Sequence, residues 1–170
     1  DTGWTFQYMR NVAVLPVSEK SILDQGMTAV NATVRAAGGI EGTGPVLIVD
    51  HTTDNNLMTF RTTHAAVRMQ AAEAEFTAAG RTFRAGAFIV PAADRAKLEP
   101  TLKALGLSGY AVATAPVVKM HELDLPRIGY VHAWQRTQDE GWVRAALDTY
   151  GVPYSYFADI KLTEGNLRAK

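Results

Sequence analysis

Apolar and polar positions change period several times along the chain, and each change marks an element. Val12, Val14 and Val17 alternate with small residues and Pro16, which predicts a strand at or near a sheet edge, where a missing N–H is tolerated. Residues 27–34 repeat the alternation, with Met27, Ala29 and Val34 set among Thr28, Asn31 and Thr33. Gly38, Gly39, Gly42 and Gly44 then predict a loose loop up to Pro45. Val46, Leu47, Ile48 and Val49 form an unbroken apolar run between turn signals, the form a strand takes when both its faces are covered. Residues 50–56 are entirely polar, and Leu57, Phe60, His64 and Val67 then recur at helical spacing.

From residue 73 the residue types favour strands again. Phe76, Phe83, Phe88, Ile89 and Val90, interrupted by Gly80 and Gly86, predict a hairpin or irregular strand ending at Val90. Asp94 is placed to cap a short turn through Leu98. Pro100 after Glu99 predicts a fresh helix start there, because proline suits a first turn and breaks an interior one. Leu98, Leu102 and Leu105 line one face, and Gly106 stops the helix. Residues 110–114 read as a strand and 123–126 as a connection.

A new unit follows. Ile128, Tyr130 and Val131 predict a strand, Thr137 with Glu140 matches a capping box, and Gly151 ends the helix. Trp142, Val143, Ala146, Leu147 and Tyr150 share a helical face, so Trp142 and Leu147 are expected against the strand, with Arg144 and Asp148 in solvent. Residues 152–157 resume strand character, which makes 127–157 a β-α-β unit. The fold class is therefore α/β. A mixed sheet with flanking helices is expected over 1–125, followed over 126–170 by the opening β-α-β unit of a doubly wound sheet that has too few strands to be complete.

Composition narrows the chemistry. At 170 residues, 47% apolar and 20% charged, the chain is long and apolar enough for a packed core. It has no cysteine, which removes disulfides, thiolate metal sites and cysteine nucleophiles. Lys+Arg 17 against Asp+Glu 17 leaves no basic excess, so nucleic acid is not an expected partner. No apolar run approaches the roughly 20 residues of a membrane span, and no signal-peptide pattern opens the chain. The first residue is Asp1, which suggests a processed product or a piece of a longer protein.

His51, His64, His121 and His132 are dispersed and form no His-x-x-Glu or His-x-x-x-His pair. Asp50, His51 and Asp54 offer donors that zinc accepts, but the same residues also suit a metal-free turn in which Asp54 or Asn55 caps the next helix. No glycine-rich phosphate loop ends in Lys-Ser/Thr, and no serine sits in a Gly-x-Ser-x-Gly elbow. Asp139 and Glu140 suit a helix N-terminus, where the dipole favours negative charge. Asn31-Ala32-Thr33 matches the glycosylation sequon, a short motif that recurs by chance. In open α/β sheets ligands collect beyond the carboxyl ends of strands. Two polar clusters fall there, residues 50–56 and 132–140, with Asp50, His51, Asp54 and Asn55 in the first and His132, Trp134, Gln135 and Arg136 in the second. They are the candidate binding residues for a small polar ligand, set against the plain alternative of solvated loops.

The opening DTGWTFQYMRNVAVLPV, the central GPVLIVDHTTDNNLMTFR, the phrase GRTFRAGAFIVPAADR and the late PRIGYVHAWQRTQDEGWVRAALDTYGVPYSYF together carry a likeness. They resemble the region after the catalytic domain in large secreted bacterial zinc carboxypeptidase-like proteins, of carboxypeptidase A type. In that resemblance the late unit is similar to the start of a flavodoxin-type, glutamine amidotransferase-like domain. Neither parent chemistry carries over, since the zinc motif, the general base and the amidotransferase cysteine have no counterparts here. The resemblance implies a non-catalytic accessory region that packs against the parent peptidase domain or presents substrate, in a secreted or periplasmic setting. Zinc belongs to the parent's catalytic domain, and no cofactor is expected in this chain. A stand-alone module for a small polar ligand and a subunit that associates with its own copies remain the alternatives.

Overall fold

The computed structural model describes residues 6–10, 12–135 and 137–169, beginning with the short helix α1 (Phe6–Arg10). The apolar run at 46–49 becomes β2 (Val46–Val49), central in a six-stranded sheet. The order across that sheet is β1 (Gly39–Gly42), β7 (Ser108–Val112), β2, β6 (Phe88–Pro91), β3 (Gln70–Ala72) and β8 (Met120–Glu122). β1 pairs in parallel with β7, while the other neighbours are antiparallel. The sheet is mixed, as expected.

Both faces of β2 are covered. Leu47 and Val49 enter a core with Phe60, Phe88, Leu98 and Leu102, supplied in part by α2 (Asn56–Thr63) and α3 (Arg95–Leu105). Ile48 enters a second core with Phe76, Phe83, Ile89 and Val112, roofed by the hairpin β4 (Phe76–Ala78) and β5 (Arg81–Phe83). Leu47, Ile48 and Val49 are fully buried, and each such side chain contributes about 1.5–3 kcal/mol of transfer free energy. Phe76 and Phe83 pair across the hairpin with rings 5.3 Å apart.

Several expectations are corrected. Residues 12–17 and 27–34 form no strand, and 12–37 are exposed throughout, with Leu15 at 84% and Val34 at 81%. Alternation suits a strand, but a strand also needs a neighbour's backbone, and the sheet ends at β1 and β8 without accepting this segment. The glycine-rich stretch is partly the strand β1 rather than a loop. Gly38 shows why glycine stands there: its φ is +62°, and a Cβ would lie 2.4 Å from Leu102 O at the end of α3. α3 runs unbroken from Arg95 through Pro100. Pro100 is an interior residue of α3 and forfeits the bond to the Ala96 carbonyl, but burial of Leu98 and Leu102 holds both halves to the sheet. Gly106 closes the helix in the left-handed conformation, as predicted. β8 falls just before the connection expected at 123–126, where no element was predicted.

β9 (Ile128–His132) and β10 (Tyr154–Ala158) are parallel, joined through α4 (Thr137–Thr149), with Ile128 opposite Tyr154 and His132 opposite Ala158. The expected inner face of α4 holds only in part: Asp148 is exposed as expected and Leu147 is half-buried, but Trp142 and Arg144 are reversed. None of its described residues is buried, Trp142 is 71% exposed, and Arg144 lies over the strands. The α4 residues that face the strands are largely polar, so apolar periodicity misassigned the face. Tyr150 ties this unit to α2: its hydroxyl lies 3.2 Å from Asn55 Nδ2, and its carbonyl accepts from Thr59 Oγ1 at 2.9 Å. α5 (Ile160–Thr163) is capped by Asp159. Among the described residues no helix is long and apolar enough to cross a membrane.

Candidate functional site

The second polar cluster becomes a side-chain network between α4 and the strands. His132 ends β9, and its ring stacks on Tyr156 of β10 at 5.4 Å. Tyr156 Oη donates to Glu140 Oε1 at 2.6 Å, and Arg144 Nη1 donates to the same oxygen at 3.3 Å. The Arg144 guanidinium also lies 4.3 Å from the centre of the Tyr156 ring. Its Nε donates to Tyr154 Oη at 3.4 Å, and that hydroxyl donates to Asp148 Oδ1 at 3.0 Å.

These contacts set the protonation states. The Tyr156 hydroxyl bond, helped by Arg144, holds the Glu140 carboxyl below the ordinary carboxylate range, although desolvation opposes this. The same bond pushes the Tyr156 phenol up. His132 Nδ1 is buried without a hydrogen bond, 3.7 Å from Glu140 Oε2. An imidazole beside a carboxylate is the pair used in general-base catalysis. Here the carboxylate already accepts from Tyr156 and Arg144, and the arrangement clasps α4 to the two strands. Glu140 faces Tyr156 and Arg144 instead of closing the expected capping box. Trp134 sits edge-on to His132 at 5.1 Å and is 83% exposed, and Gln135 is exposed beside it. Arg136 lies outside the described residues.

The first polar cluster lies at the mouth of a groove of about 830 Å³, where β2 and β3 end and β6 begins. His51, Asp54 and Asn55 line it, and the chain brings His121 and Asp124 to the same hollow. Leu57, Phe88, Leu123, Ile128 and Val152 supply apolar wall, the last two from the ends of the β9–α4–β10 unit. Asp50 does not join them. It is half-buried, and its backbone N–H donates to Ser108 O at 3.0 Å. Asp54 Oδ1 accepts from Asn56 N at 2.8 Å, so the capped-turn reading describes its contact, with Asp54 rather than Asn55 as the acceptor.

His51 is positioned by a glycine. A Cβ on Gly86, whose φ is +89°, would lie 3.1 Å from the His51 ring, so the ring rests against bare backbone. Arg61 also lines the groove, with Nε directed to the carbonyl of Leu123 and Nη1 to those of His64 and Ala65. Among the described residues no three His, Asp or Glu side chains gather into a group that could hold a metal.

The sequence reading missed His121, Asp124 and Arg61 in the groove, and Arg144 and Tyr156 in the network, where Glu140 closed the second polar cluster. For the network a signal existed: Glu140 and Arg144 are four apart on one helix face, and Tyr154 and Tyr156 are two apart on one strand face. Nothing local connects His51 to His121, which only the β3–β8 pairing brings near. Comparison of this chain with known protein families, with curated protein sequences and with solved structures finds no match.

Proposed function

We propose that this chain is a non-catalytic accessory region of a larger zinc carboxypeptidase-like protein, packing against a peptidase domain in a secreted or periplasmic setting. In this reading β9–α4–β10 opens a doubly wound, flavodoxin-like sheet. Support comes from the sequence resemblance, and the observation that carries the packing role is the thinly covered face of β9–β10, on which the described chain lays only the short α5 and Leu167. Val131 and Phe157 there line a hollow of about 580 Å³ on the side away from the Glu140 network. β9 and β10 pair only with each other among the described strands. Parallel strands are stable when both faces are covered, and an isolated strand pair is marginal in water. A packing role supplies the missing cover.

The test compares amide hydrogen exchange and molar mass for the chain alone and for the polypeptide of its uninterrupted reading frame. The reading expects β9–β10 amides to exchange faster than those of β2 in the chain alone and to gain protection in the longer polypeptide. It also expects chelator-sensitive release of C-terminal amino acids from the longer polypeptide only. Equal protection of β10 and β2 in a monomeric chain, or peptidase activity in the chain itself, overturns it. Concentration-dependent dimerisation that protects β10 favours self-association instead.

A further inference from the structure

We propose that the groove between the six-stranded sheet and the β9–α4–β10 unit is a binding site for a small organic cation, an apolar body carrying an ammonium or similar head. Its volume of about 830 Å³ lies within the range of small-molecule sites, roughly 300–1,000 Å³. It opens where β2 and β3 end and β6 begins. Apolar wall comes from Leu57, Phe88 and Val152, enough to shed water from an aromatic or branched aliphatic body.

Charge selects the head. Asp54 and Asp124 are exposed members of the lining, and neither forms an ion pair among the described residues. Arg61 is the arginine of the lining, and its Nε and Nη1 are directed to three backbone carbonyls. His121 is turned toward Glu73, 3.4 Å away. Among the described residues the lining thus offers a cation two carboxylates that lack an ion-pair partner, against a single arginine already engaged at Nε and Nη1. His51, seated against Gly86, presents to the same groove an imidazole that can accept a hydrogen bond.

The test titrates the intact chain at low salt with three probes of one shape, 2-phenylethylammonium, 2-phenylethanol and 3-phenylpropionate. Amide and ring shifts of His51, Gly86, Leu123 and Val152 are followed by NMR. The ammonium is expected to bind tightest, about fivefold tighter than the alcohol, with the carboxylate weakest. High salt should narrow that ratio and leave the alcohol's affinity in place. Asp124→Asn should lower the ammonium preference, and Ala85→Trp, at an exposed position of the lining, should block all three probes. Met58→Trp, also on the lining and exposed, makes the same test if Ala85→Trp fails to fold. Absence of binding by all three probes, shifts scattered away from the groove, a carboxylate as tight as the ammonium, or a preference untouched by Asp124→Asn overturns the proposal.

Discussion

Phe60 and Tyr156 each hold a helix to a sheet, and they do it by different physics. Phe60 on α2 is fully buried, 6.4 Å from the Phe88 ring and 5.1 Å from His64. Tyr156 on β10 keeps 40% of its surface in water and meets α4 through a carboxylate and a guanidinium. The first contact draws on buried area, which is indifferent to direction and to charge. The second draws on aligned hydrogen bonds, which depend on pH, salt and angle. One chain thus contains a region set by packing and a region set by polar geometry.

The largest expected effect tests that contrast directly. Phe60→Ala should cost about 3–5 kcal/mol in urea unfolding, whereas Leu147→Ala, at a half-buried position of α4, should cost about 1 kcal/mol. Equal losses would show that α4 is packed like α2. Next comes a pH effect from the packed region. Burial, with Lys97 nearby, lowers the His64 pKa below its ordinary value of 6.5. The unfolded chain then binds the proton more readily, so stability should fall as pH drops below about 6.5 and level off below the lowered folded value. His64→Gln should flatten that segment of a melting-temperature profile.

A smaller effect lies in the polar region. Glu140 has a lowered folded pKa, so its contribution is present above the ordinary carboxylate range and fades as pH falls through the folded value. Tyr156→Phe removes the principal cause, and the Glu140 carboxyl carbon should then titrate at higher pH by NMR. An unmoved titration would mean that Arg144 alone holds the charge. Smallest of all, Trp142→Ala should stay within about 0.5 kcal/mol, because the indole is 71% exposed. A larger loss would reinstate the apolar face that periodicity suggested.

These contrasts explain what could be read from the sequence. The run at 46–49, the phenylalanine hairpin, the Gly106 stop and the late β-α-β unit were legible because local residue type and burial agree there. Residues 12–17 and 27–34 carry strand periodicity without a partner, and no local pattern reveals whether a partner strand exists. α4 misled because a polar helix face can pack when tyrosines and charges complete each other's hydrogen bonds. Of the candidate site, His51, Asp54 and Asn55 reach one groove while His132 and Trp134 reach the α4 network. Strand-end polarity located both places, but the facing residues came from distant segments.

The pairing of β1 with β7 has a kinetic consequence. Gly39 meets Ser108, whereas in the late unit Ile128 meets Tyr154. During synthesis β1 leaves the ribosome long before any partner exists, and it stays unpaired until β7 follows. Such a distant closure adds entropy cost to the folding barrier, so a sheet of this order should gain its outer parallel strand late. In pulse-labelled refolding, amides of β2 and β6 should be protected before those of β1, which makes the glycine-rich strand the last seam to close.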